Sequence, residues 1–165
     1  MTAIELKLPA PSDLSKLLDW ENDLDNSEHT DFPTFFSKEQ LSEFLCSTHD
    51  LLLNNQIRYM ITHNEETIGC IDLFEYDLVN SRAGVGIFIE KKWRNKGFAY
   101  AALNKLKNLA STDFFLNQLY ATIYSSNIGS LKLFKSSGFV INGTRQQWVR
   151  KQEQFEDVHF LQCFL

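Results

Sequence analysis

The 165-residue chain is short of the residues that staple, kink or loosen a fold: three cysteines, three prolines and seven glycines. Cys46, Cys70 and Cys163 are odd in number and have no paired spacing. That argues against a disulfide scaffold and a zinc ribbon, and it suits a reducing compartment, the cytoplasm. No run approaches the roughly 20 apolar residues of a membrane span. The opening Met1-Thr2-Ala3-Ile4-Glu5-Leu6 has no apolar stretch long enough for a signal peptide. A basic stripe is also missing. Sixteen Lys and Arg face 21 Asp and Glu, for a net charge of −5, which speaks against a nucleic-acid binder. The four His have no visible partners, and no metal site is expected.

What is present is an ordinary globular balance, 44% hydrophobic and 22% charged, rich in Phe and sized for one domain over residues 1–165. Acids crowd the first third: Asp19, Glu21, Asp23, Asp25, Glu28 and Asp31. They form either a solvated surface or a negative field that attracts a cationic substrate. Residues 4–8 alternate as a short strand that Pro9 and Pro11 end. Ser12 or Asp13 can cap a helix carrying Leu14, Leu17 and Leu18. Ser37 and Gln40 form a capping box for a second helix with Leu41, Phe44 and Leu45. Strand-like runs follow at 57–62, 67–76 and 83–89. In the second, Ile71, Leu73 and Glu75 share one face, and Cys70, Asp72, Phe74 and Tyr76 the other. In the third, Gly84 and Gly86 lie on one face and suggest a bulge or a close approach. A helix begins near Phe98, with Ala102, Leu106, Leu109 and Ala110 on its apolar stripe. A strand at 118–124, a helix at 127–136 stopped by Gly138, and strands at 139–149 and 155–164 complete the order. The fold class is α/β: a mixed, mainly antiparallel sheet of about seven strands with four helices packed on both faces.

The chemistry concentrates where the third run ends. Ile87-Phe88-Ile89 leads through Glu90-Lys91-Lys92-Trp93 into Arg94-Asn95-Lys96-Gly97-Phe98-Ala99-Tyr100. The first amides of a helix lack internal partners and, with the helix dipole, favour an anion. Gly97 and Ala99 let a phosphate approach the backbone, and Arg94 and Lys96 add charge. On physical grounds the turn is either a pyrophosphate site or an ordinary solvated βα turn.

Arg94-x-x-Gly97-x-Ala99, after a strand and opening a helix, resembles motif A of the Gcn5-related N-acetyltransferase (GNAT) superfamily. Asn127-Ile128-Gly129-Ser130, followed by Phe134 and Gly138-Phe139, resembles its second signature, and the element order is similar over nearly the whole chain. Arg82-Ala83 and Glu156-Asp157 are similar to the branch with ribosomal-protein alanine and spermidine acetyltransferases. The resemblance implies acetyl-CoA as acetyl donor. Amides at Arg94, Asn95, Lys96, Gly97, Phe98, Ala99 and Tyr100 would hold its pyrophosphate. The backbone of Ile87, Phe88 and Ile89 would pair with the pantetheine arm, which Asn127 would also bond, and Ser130 and Lys135 would lie close by. A bulge at Gly84–Gly86 would splay this strand from 118–124 and open a slot for the thioester.

Two positions depart from the family pattern. Phe134 stands where the family often has a tyrosine acid, and Gly84 where the branch often has a glutamate. Asp72 and Tyr124 are the candidates for proton transfer, with Tyr124 otherwise a packing residue. Glu28, Asp31 and Asp72 are the candidates for binding the acceptor, and Trp20 and Trp148 are core residues that could also line its pocket. The implied activity is N-acetylation of a primary amine: a small cationic amine such as a polyamine, or a protein N-terminus. The alternative is a coenzyme A-binding or sensing module with little transferase activity. Exposed strand edges near the C-terminus suit a homodimer or higher homo-oligomer. No nucleic-acid or membrane partner is expected.

Overall fold

In the computed structural model, residues 3–23 and 35–165 are described. Their seven strands are β1 (Glu5–Lys7), β2 (Ile57–His63), β3 (Glu66–Asp77), β4 (Arg82–Ile89), β5 (Gln118–Tyr124), β6 (Val140–Lys151) and β7 (Gln154–Phe164). They form one sheet in the order β1-β2-β3-β4-β5-β7-β6. Every neighbouring pair is antiparallel except β4 and β5. That parallel pair requires a crossover, supplied by the amphipathic helix α4 (Phe98–Thr112). The other helices among the described residues are α1 (Leu14–Glu21), α2 (Lys38–Cys46), α3 (Leu51–Asn54) and α5 (Ile128–Ser136).

Each face of the sheet has its own core. On one, Ile71, Leu73, Val85, Leu119 and Leu161 pack with Phe98, Leu103 and Leu106 of α4 and with Leu131 and Phe134 of α5. On the other, Met60 and Cys70 pack beneath Leu17 of α1 and Leu41 and Leu45 of α2. The helices thus flank both faces, as expected, but the described residues hold five where four were expected. The unforeseen α3 is a single turn. Asp50 caps it by accepting from the Leu52 and Leu53 amides at 2.8 and 3.2 Å, and Leu51 anchors it in the core.

Several local readings change. The capping box of α2 is present, with Ser37 and Gln40 exchanging bonds of 2.8 and 3.2 Å. Asp13 precedes α1 but does not cap it. Its carboxylate accepts from the Ala10 amide at 2.9 Å and from the Thr67 hydroxyl at 3.0 Å, pinning the first turn to β3. Trp148 is 59% exposed on the β6–β7 hairpin rather than in the core. Trp20, by contrast, packs against the second core, its ring 5.2 Å from that of Phe88.

The register of β3 matters most for the site. Pairing with β4 runs evenly from Gly69↔Ile89 to Phe74↔Gly84, and the irregularity falls between Phe74 and Asp77. The bulge therefore lies on β3 and not at Gly84–Gly86. Glu75 takes a φ of 49°, and the alternation reverses beyond it. Tyr76 joins Ile71 and Leu73 in the core, while Glu75 is exposed and meets Tyr120. Strict alternation would have sent the carboxylate into an apolar core, a placement costing several kcal/mol without a partner.

Candidate active site

Beyond Gly84 the sheet opens. β4 pairs with β5 only at Arg82↔Gln118, Ala83↔Leu119 and Gly84↔Tyr120, after which β5 continues to Tyr124 against β7 alone. The Glu90 amide donates to the Ile68 carbonyl at 3.0 Å, which fixes the ladder's alternation. The backbone groups of Gly86 and Phe88 turn toward β3, and those of Val85, Ile87 and Ile89 turn toward the gap. An extended ligand laid along this edge meets backbone donors and acceptors at Ile87 and Ile89. Phe88 presents its ring instead, between Trp20 and the Arg94 guanidinium, 5.7 Å from the ring centre.

The edge runs to the start of α4. Gly97 is the N-cap, at φ 81°, and no side chain caps the helix. The first intrahelical bond goes from the Ala101 amide to the Gly97 carbonyl at 3.0 Å. The amides of Gly97, Phe98, Ala99 and Tyr100 therefore have no acceptor within the helix. A left-handed Asn95, φ 60°, prepares the turn. Arg94 Nε donates to the Ile89 carbonyl at 2.7 Å, tying the basic turn to the end of β4. Lys96 Nζ lies 4.9 Å from the centre of the Trp93 ring. The result is a helix start whose free amides and basic turn suit an anion, at the end of an open strand edge.

Across the gap, Asn127 caps α5 by accepting from the Ser130 amide at 3.1 Å. Its approach is held from β7. Glu156 accepts from the Ser126 amide at 2.6 Å, and the Asp157 carbonyl accepts from the Ser125 amide at 2.9 Å. Burial alone would raise the Glu156 pKa. The Ser126 bonds and Lys151, 3.4 Å away, overcome it and hold the carboxyl below the usual range. Lys135 is exposed on the last turn of α5.

The candidates for proton transfer fare unevenly. Asp72 reaches the same face as Gly86, but both its oxygens are engaged: Arg58 Nε and Nη2 each donate at 2.8 Å. Arg58 also donates to Glu21 of α1 at 2.5 Å. Burial alone would lower the Arg58 pKa, yet Asp72 foremost among its neighbours holds it well above the ordinary value. Cys70, beneath this network, is pushed up to about 12 by burial, with Asp72 and Glu21 adding to the shift against Arg58. It is an inert thiol at neutral pH. Tyr124 is buried, with Lys151 Nζ 5.8 Å from its ring centre. Phe134 is 3% exposed and packs edge-on against Phe139 at 4.9 Å, so the usual tyrosine position here is core. Glu28 and Asp31 lie outside the described residues.

At the point where β4 and β5 part, a different group assembles. The Phe74 ring covers Gly84 so closely that a Cβ there would sit 2.4 Å from it. Tyr120, opposite Gly84, stands between the rings of Phe74 (6.1 Å) and Phe160 (5.5 Å), and its hydroxyl donates to Glu75. Burial, then Glu75, raises the Tyr120 pKa, so the phenol stays protonated. Sequence reading missed both residues. Tyr120 was discoverable, four positions before Tyr124 on one strand face. Glu75 was not, because nothing in the alternation announces the bulge.

Over residues 4–140 the chain matches the model of the acetyltransferase (GNAT) domain. It is 25% identical over 150 residues to the uncharacterized N-acetyltransferase p20 of Bacillus licheniformis, covering 89% of this chain and 84% of that one. Among solved structures, spermidine N-acetyltransferase from Vibrio cholerae, in complex with CoA and spermine, superposes with a TM-score of 0.86. The identity is 19%, over 98% of this chain and 95% of that one. RimL, a ribosomal L7/L12 alpha-N-protein acetyltransferase in complex with coenzyme A, also reaches 0.86, at 17% identity over 100% and 96% of the two chains. The chain belongs to the GNAT acetyltransferase family, acyltransferases whose donor is acetyl-CoA.

Proposed function

We propose that this protein moves the acetyl group of acetyl-CoA to a primary amine, either a small cationic amine such as a polyamine or a protein N-terminus. The observation that carries this reading is the continuous run from the parting of β4 and β5 to the uncapped start of α4. The gap offers an edge to an amide-bearing arm, and the helix start offers amides to a pyrophosphate. In this assignment Ile87 and Ile89 bond the arm and Phe88 walls it. Residues 94–100 hold the pyrophosphate through the orphan amides and the charge of Arg94 and Lys96. The oxygen of Asn127 is spent on its cap, which leaves its amide nitrogen to donate to the arm, with Ser130 and Lys135 nearby. The donor supplies an activated acyl thioester. The chain orients it, accepts the amine's proton and returns one to the leaving sulfur.

The acceptor class rests on the acids of the first third, among them Glu28 and Asp31, and on two neighbours whose names include spermidine and a ribosomal protein. The free thiols at Cys70 and Cys163 fit work in the cytoplasm. The β6 strand, which ends the sheet and is largely exposed, is a natural surface for a second copy. The buried, hydroxyl-free Phe134 favours a second reading, a module that binds coenzyme A with little transfer.

Calorimetry separates these readings. Acetyl-CoA binds the wild type, and Gly97→Val weakens binding at least about 10-fold, because a β-branched residue is strained at a positive φ and narrows the anion site. Absence of binding by the wild type removes both readings. Binding without thiol release, over a panel including spermidine and short peptides, leaves the second.

A further inference from the structure

We propose that Glu75 and Tyr120 form the proton relay of this acetyltransferase, Glu75 as base and Tyr120 as acid; the proposal rests on the acetyl-transfer reading above. Four observations meet at one place. The pair stands at the Gly84↔Tyr120 step, the last at which β4 and β5 are joined, so the gap that receives the donor begins beside it. Glu75 reaches this face only through the β3 bulge and a positive φ, a conformation that costs a non-glycine residue about 1–3 kcal/mol and collects at functional sites. Tyr120 is fixed between Phe74 and Phe160, and its hydroxyl is bonded to the Glu75 carboxylate. Finally, the Phe74 ring covers Gly84, so no side chain at that position competes for the space.

The groups nearby are otherwise engaged. Asp72 is committed to Arg58, Arg82 pairs with Asp77 at 3.1 Å, and Phe134 carries no proton. Glu75 is exposed and able to meet a solvent-borne amine, while half-buried Tyr120 stays protonated near neutral pH and has a proton to give.

The relay balances. The amine nitrogen forms the new C–N bond, and its proton passes to the Glu75 carboxylate. The C–S bond breaks, and the Tyr120 phenol protonates the departing thiolate. The protonated Glu75 then returns a proton to the Tyr120 phenolate along their existing hydrogen bond. Both groups end as they began, and one amine proton has moved to sulfur.

The test uses the full chain with hydroxylamine, a small nucleophile that needs no acceptor pocket, beside spermidine. Acetyl-CoA affinity is measured by calorimetry, folding by thermal melt and turnover by thiol release. Glu75→Gln is expected to lower kcat about 100-fold or more and Tyr120→Phe about 10-fold or more. Both should leave acetyl-CoA affinity within about 3-fold of wild type, with Glu75→Asp recovering part of the rate. A wild type that binds no acetyl-CoA overturns the acetyl-transfer reading itself. A wild type that binds it but transfers to neither nucleophile leaves only the coenzyme A-binding reading and overturns acetyl transfer and the relay together, whereas folded Gln and Phe variants that keep wild-type kcat overturn the relay alone.

Discussion

Arg58 holds two carboxylates at once, and that decides how Asp72 behaves. The Arg58 and Asp72 side chains are 22% and 27% exposed, joined by two parallel bonds, with Glu21 closing the group from α1. Both Asp72 oxygens already accept from Arg58, so the carboxylate is engaged where a base would have to be open to the amine. Its work is to join α1 to β2 and β3. Asp72→Asn is therefore expected to destabilise the fold by about 2–3 kcal/mol, somewhat below the loss for a fully buried pair. That corresponds to roughly 4–12 °C in melting temperature for a chain of this size. The kcat of the folded fraction should stay within about 2-fold of wild type, since less than that corresponds to only about 0.4 kcal/mol of transition-state stabilisation. Thermal melts and thiol-release kinetics on one preparation check both halves. A fall in kcat without a fall in stability returns the base to Asp72.

At the scale of elements, the connection from β5 to α5 is set by β7. Glu156 reaches across to the Ser126 amide, so α5 and its cap Asn127 start where the last hairpin puts them. Replacing Glu156 with Gln removes a charge-assisted bond and should cost about 1–2 kcal/mol at neutral pH. The sign with pH follows from the depressed native pKa. The carboxylate's contribution is complete above its unfolded-state value and disappears as pH falls through the native one. Denaturant titrations of both proteins should show a gap that is full near pH 7 and narrows in acid; a gap that widens in acid contradicts the assignment. The sequence shows α5 and β5 clearly, because Asn127, Gly138 and alternation mark their limits. It does not show Glu156 as a clamp, since its partner lies 30 residues away across a strand pair. The uncapped start of α4 was readable from Arg94 to Ala99 because it is a backbone feature, encoded locally by Gly97. The Glu75–Tyr120 pair was not readable, because one bulged residue reverses β3's alternation and turns a presumed core position toward the site. The single-turn α3 escaped for a related reason: four residues are too few to carry a period.

For the molecule as a whole, a polyanionic donor must bind to a chain of net charge −5, and the cationic acceptor proposed above would meet it there. The negative field opposes a polyanionic donor and draws a cationic acceptor. The donor's attraction is therefore local, confined to the basic turn through Lys96. Beside β4, a cleft of about 480 Å³ is lined by Asp19, Asp23, Glu66 and Glu90 with Trp20 and Phe88, and by Lys16, Lys91 and Lys92. Several of these charges pair with one another: Lys92 with Glu66 at 2.8 Å, and Lys16 with Glu66 at 3.7 Å and with Glu90 at 3.9 Å. What draws a cation from a distance is then the summed field rather than any one acid, and such a field is screened over about 10 Å at 0.1 M salt. If the acceptor is a polyamine, its KM should rise several-fold as salt is raised from about 50 to about 300 mM. The KM for hydroxylamine, uncharged near neutral pH, should stay nearly constant over the same range. Steady-state kinetics with spermidine and hydroxylamine at fixed, saturating acetyl-CoA measure the contrast directly. Equal salt responses for the two would remove the charge argument for a cationic acceptor and leave the protein N-terminus as the better candidate.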